Sequence, residues 1–505
     1  MGTLQYYLKN RAEETPDVTA FLSPIGDYSF KEYNERANQL AHYLQESGIK
    51  KGDRVGILCK NNHPYPTILM AILKVGGVAV PLNWRLTAYE MEKIIRIAEP
   101  RVVFYDEEFA PSLSLMKSEI EKLVSVGKKM NVTEEFAAIF QHYPSTEPTV
   151  DTLAEDDLAL VLFTSGTTGM PKGCMIEHGT YDRIFNQFHR RLQSGRRFLA
   201  IHPLFHMSST MNIIGSVYHG MTMVFITDTD SVSILNTIQE KKINMMFAFP
   251  SVYTYMLEEM NRKKWNLSSL AGVSAGGTAV PAGLIRQYLA RGIPMIQGYG
   301  STEASIISHW DPSMGQNTAD SVGKIVDQVE IKFVHPDTGL EVATGEIGEV
   351  VVRSPYLFKG YLHNPEATQQ VLRDGWLYTG DAGRIDENGF LYVSGRYKDM
   401  IVYGGDNVYP GEIEEVIHKI DGVLEVAVIG VPHPTMGEMA RAYVIKNDHS
   451  PLTEADIIQE CRKRLADYKV PQVVIVNHLP KNGLGKVMKH VLKEQASQAD
   501  PVSMK

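Results

Sequence analysis

The stretch Thr164-Ser165-Gly166-Thr167-Thr168-Gly169-Met170-Pro171-Lys172-Gly173 gathers hydroxyls, glycines and a lysine where a polyphosphate could be held. Glycine lets backbone N–H groups converge on an anion, while Ser, Thr and Lys add donors and charge. It is not a Walker loop, which needs Gly-Lys-Ser/Thr opening a helix; here Pro171 precedes the lysine and Gly173 follows it. A second cluster, Gln297-Gly298-Tyr299-Gly300-Ser301-Thr302-Glu303, sets an aromatic between glycines and adds a hydroxyl and a carboxylate. Such an aromatic can stack on a purine, and a carboxylate can hold a hard cation such as Mg²⁺. Singly these features are bland: a lone tyrosine is more often core and a lone glutamate usually a solvated surface residue. In Tyr378-Thr379-Gly380-Asp381 the carboxylate could accept two ribose hydroxyls at once, although Gly-Asp alone reads as a turn.

Together these strings resemble the adenylate-forming superfamily of acyl-CoA synthetases, peptide-synthetase adenylation domains and firefly-type luciferases, and its acyl-CoA synthetase branch above all. The resemblance runs from about Tyr6 to Glu494. It implies an ATP site at Thr164, Ser165, Gly166, Thr168, Lys172, Gly276, Gly277, Gln297, Gly298, Tyr299, Gly300, Thr302, Asp381, Arg396 and Lys398. Within it, Tyr299 is implied at the adenine, Thr302 at the α-phosphate, Asp381 at the ribose, and Glu303 with Thr167 at Mg²⁺. Pro480-Lys481-Asn482-Gly483-Leu484-Gly485-Lys486 resembles the segment that carries the family's mobile catalytic lysine, here Lys486. Lys398 falls at the family's hinge. CoA contacts are implied for Arg85, Gly404, Gly405, Tyr468 and Lys469, and a gating or orienting role for His206, for which a structural histidine is an equal reading. Acyl-pocket positions fall on Met207, Met211, Ser274, Ala275 and Ile306.

Two departures matter. Val402 stands where many acyl-CoA synthetases carry Lys, so an ATP contact from that side chain is missing. Amino-acid-activating relatives have an Asp where His206 stands, so the acid expected here lacks an α-amine.

The 505-residue chain is too long for one core, and its 44% apolar and 22% charged composition is that of an ordinary globular protein. A net charge of −9 gives no electrostatic reason to bind nucleic acid. Cys59, Cys174 and Cys461 lie far apart, so neither a disulfide framework nor a zinc site is suggested. With no signal pattern at the first residues and no run of membrane-spanning length, a cytoplasmic enzyme is expected. One basic island, from His189 through Arg190, Arg191, Arg196 and Arg197, could meet an anionic membrane or CoA phosphates; a solvated helix end is the blander and favoured reading.

The elements that must position these residues alternate. Phe30 to Leu44 reads as a helix closed near Gly48, residues 55–58 as a strand, Thr67 to Val75 as an apolar helix, then 78–80 and 102–105 as strands. Leu158 to Phe163, Met221 to Ile226, Met245 to Phe249 and Ala271 to Ala275 are further buried strands, with a helix from Ser251 to Met260. That alternation predicts an α/β fold with parallel sheets covered on both faces. Near Gly345 the texture becomes antiparallel and turn-rich, predicting a small barrel or sandwich over about 320–395. The expected organisation is therefore a 1–395 nucleotide- and acyl-binding domain, a 396–400 hinge and a small mobile α+β domain over 401–505.

The implied reaction is ATP-dependent: a carboxylic acid gives acyl-AMP and pyrophosphate, and CoA then gives acyl-CoA and AMP. The apolar pocket candidates favour a medium- or long-chain fatty acid, with an aromatic or alicyclic acid as the rival. From other classes stand a non-catalytic nucleotide sensor, a luciferase-like oxygenase and an adenylating enzyme with a carrier-protein acceptor. Monomer and homodimer stay equally open.

Overall fold

The computed structural model describes residues 2–61, 64–114, 116, 120–128, 131–164, 170–188, 194–404, 406–433, 435–447, 450–482 and 485–499. Among them, two large sheets form the body of the chain. The first has eight strands in the spatial order Gly360–Tyr361, Lys172–Glu177, Leu158–Thr164, Val78–Pro81, Arg54–Leu58, Val102–Asp106, Lys122–Lys128 and Asn131–Val132. The second has nine, in the order Lys324–Ile325, Ser308–Trp310, Met295–Tyr299, Gly272–Gly276, Met245–Ala248, Arg197–Leu199, Thr222–Val224, Thr19–Leu22 and Tyr28–Ser29. Their central strands pair in parallel and their margins antiparallel. The central runs are apolar on both faces because helices cover both.

Helix Pro64–Lys74 is buried along its whole length, the outcome for a helix that is apolar all round. It packs against helix Phe30–Glu46, which begins at a reciprocal cap. The Ser29 hydroxyl accepts from the Glu32 N–H at 3.2 Å, and the Glu32 carboxylate accepts from the Ser29 N–H at 2.7 Å. The expected helices and strands are in place with shifted ends. The helix expected from Thr67 starts at Pro64, where proline suits a first turn. The strand expected to reach Ile226 stops at Val224.

The expected antiparallel unit is a five-stranded sheet of Glu330–Val334, Gly348–Arg353, Leu372–Arg373, Trp376–Ile385 and Leu391–Arg396. A small C-terminal domain follows, with Val423–His433 and Gly437–Lys446 as a long hairpin flanked by helices Pro410–His418, Glu454–Arg462 and Lys489–Ala499. It has cores of its own, one around Ile413, Ile417, Val428 and Val444 and one around Ile429, Tyr443 and Leu492. No helix among the described residues is long and apolar enough to cross a membrane.

One buried charge fastens the body. Lys74 ends the buried helix with its side chain 1% exposed and Nζ 2.6 Å from Glu147. Glu147 also accepts from Asn34 at 2.7 Å and Asn38 at 3.1 Å, while Asn38 and Gln45 donate to the carbonyls of Ser145 and Thr149. These bonds strap the segment after Tyr143 across helix Phe30–Glu46. Glu147→Ala would leave the ammonium buried without its partner, an expected loss of about 3–5 kcal/mol. Urea unfolding should show an earlier midpoint for Glu147→Ala and recovery of most of it in a Lys74→Met/Glu147→Leu double variant.

Candidate active site

Strand Met295–Tyr299 ends on Tyr299, and the chain turns sharply after it. Gly300 is required there: a Cβ would lie 2.1 Å from the Ser305 carbonyl oxygen. The Tyr299 hydroxyl donates to Asp381 Oδ2 at 2.7 Å. Asp381 lies opposite Arg396 in the antiparallel sheet, and Arg396 Nε reaches Asp381 Oδ1 at 2.8 Å. A second Arg396 nitrogen donates to the Thr379 carbonyl at 2.9 Å, and the Thr379 hydroxyl accepts from the Asp381 N–H at 3.1 Å. Asp381 is only 8% exposed. Burial raises its pKa above the usual carboxylate value, while Arg396 and the Tyr299 hydroxyl pull the other way. Two sheets thus meet at one carboxylate.

The C-terminal domain reaches the same place. Lys486 stands in a turn closed by Asn482, whose Oδ1 accepts the Lys486 N–H at 3.0 Å. Its ammonium is pushed below the usual lysine value, first by the crowding protein and then by Arg396, with Asp381 opposing. The residue as a whole remains exposed, so solvent screens part of that push.

Glu303 sits beside this group. Its Oε1 accepts from the Tyr361 hydroxyl at 2.8 Å, and the Phe358 N–H donates to its carbonyl at 2.8 Å. Lys172 Nζ lies 4.9 Å over the Tyr361 ring, and Lys172 pairs with Thr164 where the phosphate-type stretch leaves and rejoins its sheet. Ser165, Gly166, Thr167 and Thr168 lie outside the described residues, as do Gly405, His189, Arg190 and Arg191. Sequence reasoning missed Tyr361. It stands on a two-residue edge strand whose only local signal is the preceding glycine, and its partner Cys174 is distant in the chain.

Other expected positions separate into near and far. Gly276 and Gly277 close strand Gly272–Gly276; a Cβ would meet the Gly298 carbonyl at 2.9 Å at the first and the Phe249 ring at 2.7 Å at the second. Gln297 is buried, and its amide donates to the carbonyls of Ala319 and Ser321 at 3.2 and 2.5 Å. Its N–H groups therefore hold a loop, which sets it apart from the residues that face the cluster. Thr302 is partly exposed, and Lys398 is exposed in the short turn Tyr397–Asp399 between the domains. Gly404 has φ +60° and donates its N–H to the Met436 carbonyl. Lys469 is paired with Glu412 beside Tyr468, and Arg85 lies over the Trp84 ring at 4.8 Å. Arg197 donates to the Lys241 carbonyl at 2.6 Å, so one arginine of the basic island is engaged by the fold.

Met207 and Met211 lie on helix Met207–His219, whose N-cap is His206. The His206 ring is 4.5 Å from His202, which lies 4.5 Å from Phe249 and 5.3 Å from Phe247. Ser274 and Ala275 follow on the adjacent strand, and Ile306 packs against the main core. Among the described residues, the buried Nε2 atoms of His202 and His206 have no hydrogen-bond partner. Burial lowers the pKa of both, that of His202 to about 4. A cavity of about 10 Å³ beside His202, Leu204 and Asn212 contains none of the expected acyl positions; it has room for about one water.

A family model described as "AMP-binding enzyme" matches residues 8–362, and one described as "AMP-binding enzyme C-terminal domain" matches residues 412–486. The Bacillus subtilis (strain 168) protein named "Putative acyl-CoA ligase YdaB" is 46% identical, covering 98% of this chain and 99% of its own. Two relatives at 33% identity carry different acids in their names. One is the long-chain-fatty-acid–CoA ligase FadD13 of Mycobacterium tuberculosis, matched over 99% of this chain and 100% of its own. The other is a feruloyl-CoA synthase of Amycolatopsis sp, matched over 95% and 96%. Among solved structures, ATP-bound MatB from Rhodopseudomonas palustris superposes with a TM-score of 0.90 at 29% identity, over 98% of both chains.

Two outcomes test this geometry. Gly300→Ala must displace the Ser305 backbone and with it the loop from Tyr299 to Glu303, so the melting temperature should fall clearly below that of the unsubstituted chain in a thermal scan. The second concerns protons. His178 and His202 have native pKa values of about 4, below their ordinary 6.5, so the unfolded chain binds protons between pH 6.5 and 4 that the native chain refuses. Their stability contribution is complete above pH 6.5 and lost as pH falls towards 4. The melting temperature should therefore drop between pH 7 and 5, and less steeply in His202→Gln.

Proposed function

Because this chain belongs to the AMP-binding enzyme family and is an AMP-forming acid–CoA ligase, we propose that the cluster around Asp381 is its adenylation site. The observation that carries the reading is the meeting of Tyr299, Asp381 and Arg396 from two sheets, with the charge of Lys486 acting on the same group. ATP would lie with its adenine against Tyr299, its ribose hydroxyls on Asp381 and its phosphates towards Lys172, Thr302 and the 164–173 stretch. A pre-paired carboxylate suits a ribose because it is already oriented by Arg396 and exchanges one hydroxyl donor, Tyr299, for two.

The acid's carboxylate attacks the α-phosphorus, the α-phosphate's bond to the β-phosphate breaks, and pyrophosphate leaves with that electron pair. Lys486 and Arg396 supply positive charge where negative charge accumulates in this transfer. Glu303 fits the role of a protein carboxylate for Mg²⁺: it is a hard oxygen donor whose Oε1 is oriented by Tyr361 beside Lys172. No group of three or more ligand-type side chains is found among the described residues, which suits an ion that takes most of its oxygens from phosphates and water. When bound with the nucleotide, Mg²⁺ would neutralise phosphate charge.

For the second half-reaction, the domain following about residue 400 turns at Lys398, withdraws Lys486 and brings Gly404-Gly405 towards the acyl-AMP. There the CoA thiol sulfur attacks the acyl carbonyl, the bond from the acyl carbon to the phosphate oxygen breaks, AMP departs with that electron pair, and the thiol proton passes to solvent. Arg85, Tyr468 and Lys469 are the proposed CoA contacts; Lys469 would exchange Glu412 for a phosphate. The acid is proposed to be a medium- or long-chain fatty acid, held by Met207, Met211, Ser274, Ala275 and Ile306, in the cytoplasm. A second reading, an aromatic or alicyclic acid, is favoured by the ring wall of His202, His206, Phe247 and Phe249.

Pyrophosphate release across a panel of fatty and aromatic acids, with CoA-dependent thioester identified by mass, ranks the two classes; a preference for ring acids over chains overturns the first. Lys486→Ala should lose adenylation by at least about a thousandfold while retaining ATP binding, as expected for charge used mainly in the transition state. Undiminished acyl-AMP formation would remove Lys486 from the mechanism.

A further inference from the structure

Helix Pro250–Arg262 belongs to the large domain, yet three points along it meet the C-terminal domain. Phe249, which caps its start, lies beneath Gly485: a Cβ on that glycine would be 3.5 Å from the Phe249 ring. Tyr255 donates its hydroxyl to Glu425 Oε1 at 3.0 Å. One turn on, Glu258 Oε1 accepts from Asn447 at 2.6 Å.

Glu425 is the joint among these. It stands near the start of strand Val423–His433 and is 8% exposed. Lys481 Nζ lies 2.8 Å from its Oε1 and 2.6 Å from its Oε2. Lys481 pairs with Val487 across the turn that carries Lys486. One buried carboxylate therefore ties the base of the lysine turn to a helix of the other domain. Burial, then the Glu425 charge, holds the Tyr255 hydroxyl up at a pKa of about 12, so it remains an O–H donor at neutral pH.

We propose that Tyr255 and Glu425 form a latch that positions Lys486 for acyl-adenylate formation and must open before the thiol step. Both are positioning residues. Neither touches the cluster around Asp381, and each acts through the placement of the lysine turn over Phe249. The latch suits repeated opening and closing, because a single hydrogen bond to a charged group is strong enough to bias an orientation and weak enough to release on every turnover. Glu425 keeps Lys481 as partner when Tyr255 leaves, so opening does not strand a buried charge.

The inference rests on the adenylation reading, and the test separates the two. Tyr255→Phe, in the full chain, should slow acid-dependent ATP–pyrophosphate exchange about tenfold, the loss expected for one hydrogen bond to a charged group, and Glu425→Gln, which also removes the charge that pairs with Lys481, by at least as much. Single-turnover conversion of supplied acyl-AMP by CoA should stay within about twofold of the unsubstituted enzyme, since the latch is open in that step. The double variant should be no slower than Glu425→Gln alone, because that substitution already weakens the contact that Tyr255→Phe removes. Equal losses in both half-reactions, or losses that multiply, overturn the latch. An activity-independent arm is amide hydrogen exchange: residues 250–262 and 480–488 should exchange faster in both variants while the sheet around Leu158–Thr164 does not. Unchanged exchange there overturns the latch and leaves the enzyme reading intact. A chain without ATP–pyrophosphate exchange for any acid would sink the enzyme reading, with amide exchange still deciding the latch.

Discussion

A carboxylate taken out of water must be given partners, and Asp381 is where this chain meets that demand. Its two oxygens take one hydroxyl from the nine-stranded sheet and one guanidinium from the antiparallel sheet. Asp381 and Arg396 share the antiparallel sheet, so a shift of the two sheets would keep that ion pair and break the Tyr299 hydrogen bond. The Tyr299 hydroxyl is therefore the tie from the nine-stranded sheet to this carboxylate. Burial favours the neutral acid there, and Arg396, followed by the Tyr299 hydroxyl, opposes it.

The joint between the domains obeys a different rule. Around Asp381 the charges are buried and mutually fixed, whereas the contacts along helix Pro250–Arg262 are few and sit at a boundary. The small domain carries cores of its own, so it can turn as a body without exposing its interior. A weak boundary joined to two firm interiors is what an enzyme with two half-reactions requires.

Much of the site was legible as residue types. Tyr299, Glu303, Asp381, Arg396 and Lys486 carry their chemistry in short strings whose spacing is readable, and the strand before each string is a plain apolar run. What resisted reading was every role created by a distant partner. Tyr361 is one tyrosine among many until Glu303 and Lys172 are seen beside it. Gln297 shares its string with Tyr299 but directs its amide into a loop, a partner that the string itself does not reveal. Glu425 and Tyr255 have no motif at all, being 170 residues apart.

By itself the sequence determined the alternating α/β body, the antiparallel stretch after Gly345, the small last domain and the residue types of the candidate cluster. These follow from apolar periodicity and from local strings, which act over a few residues. Only the tertiary structure decided which strands became neighbours, that a buried Lys74 needs Glu147, that His202 and His206 share a ring wall with Phe247 and Phe249, and that one carboxylate links the lysine turn to the large domain. Those are pairings between segments far apart in the chain, and periodicity carries no information about which distant segment a face will meet.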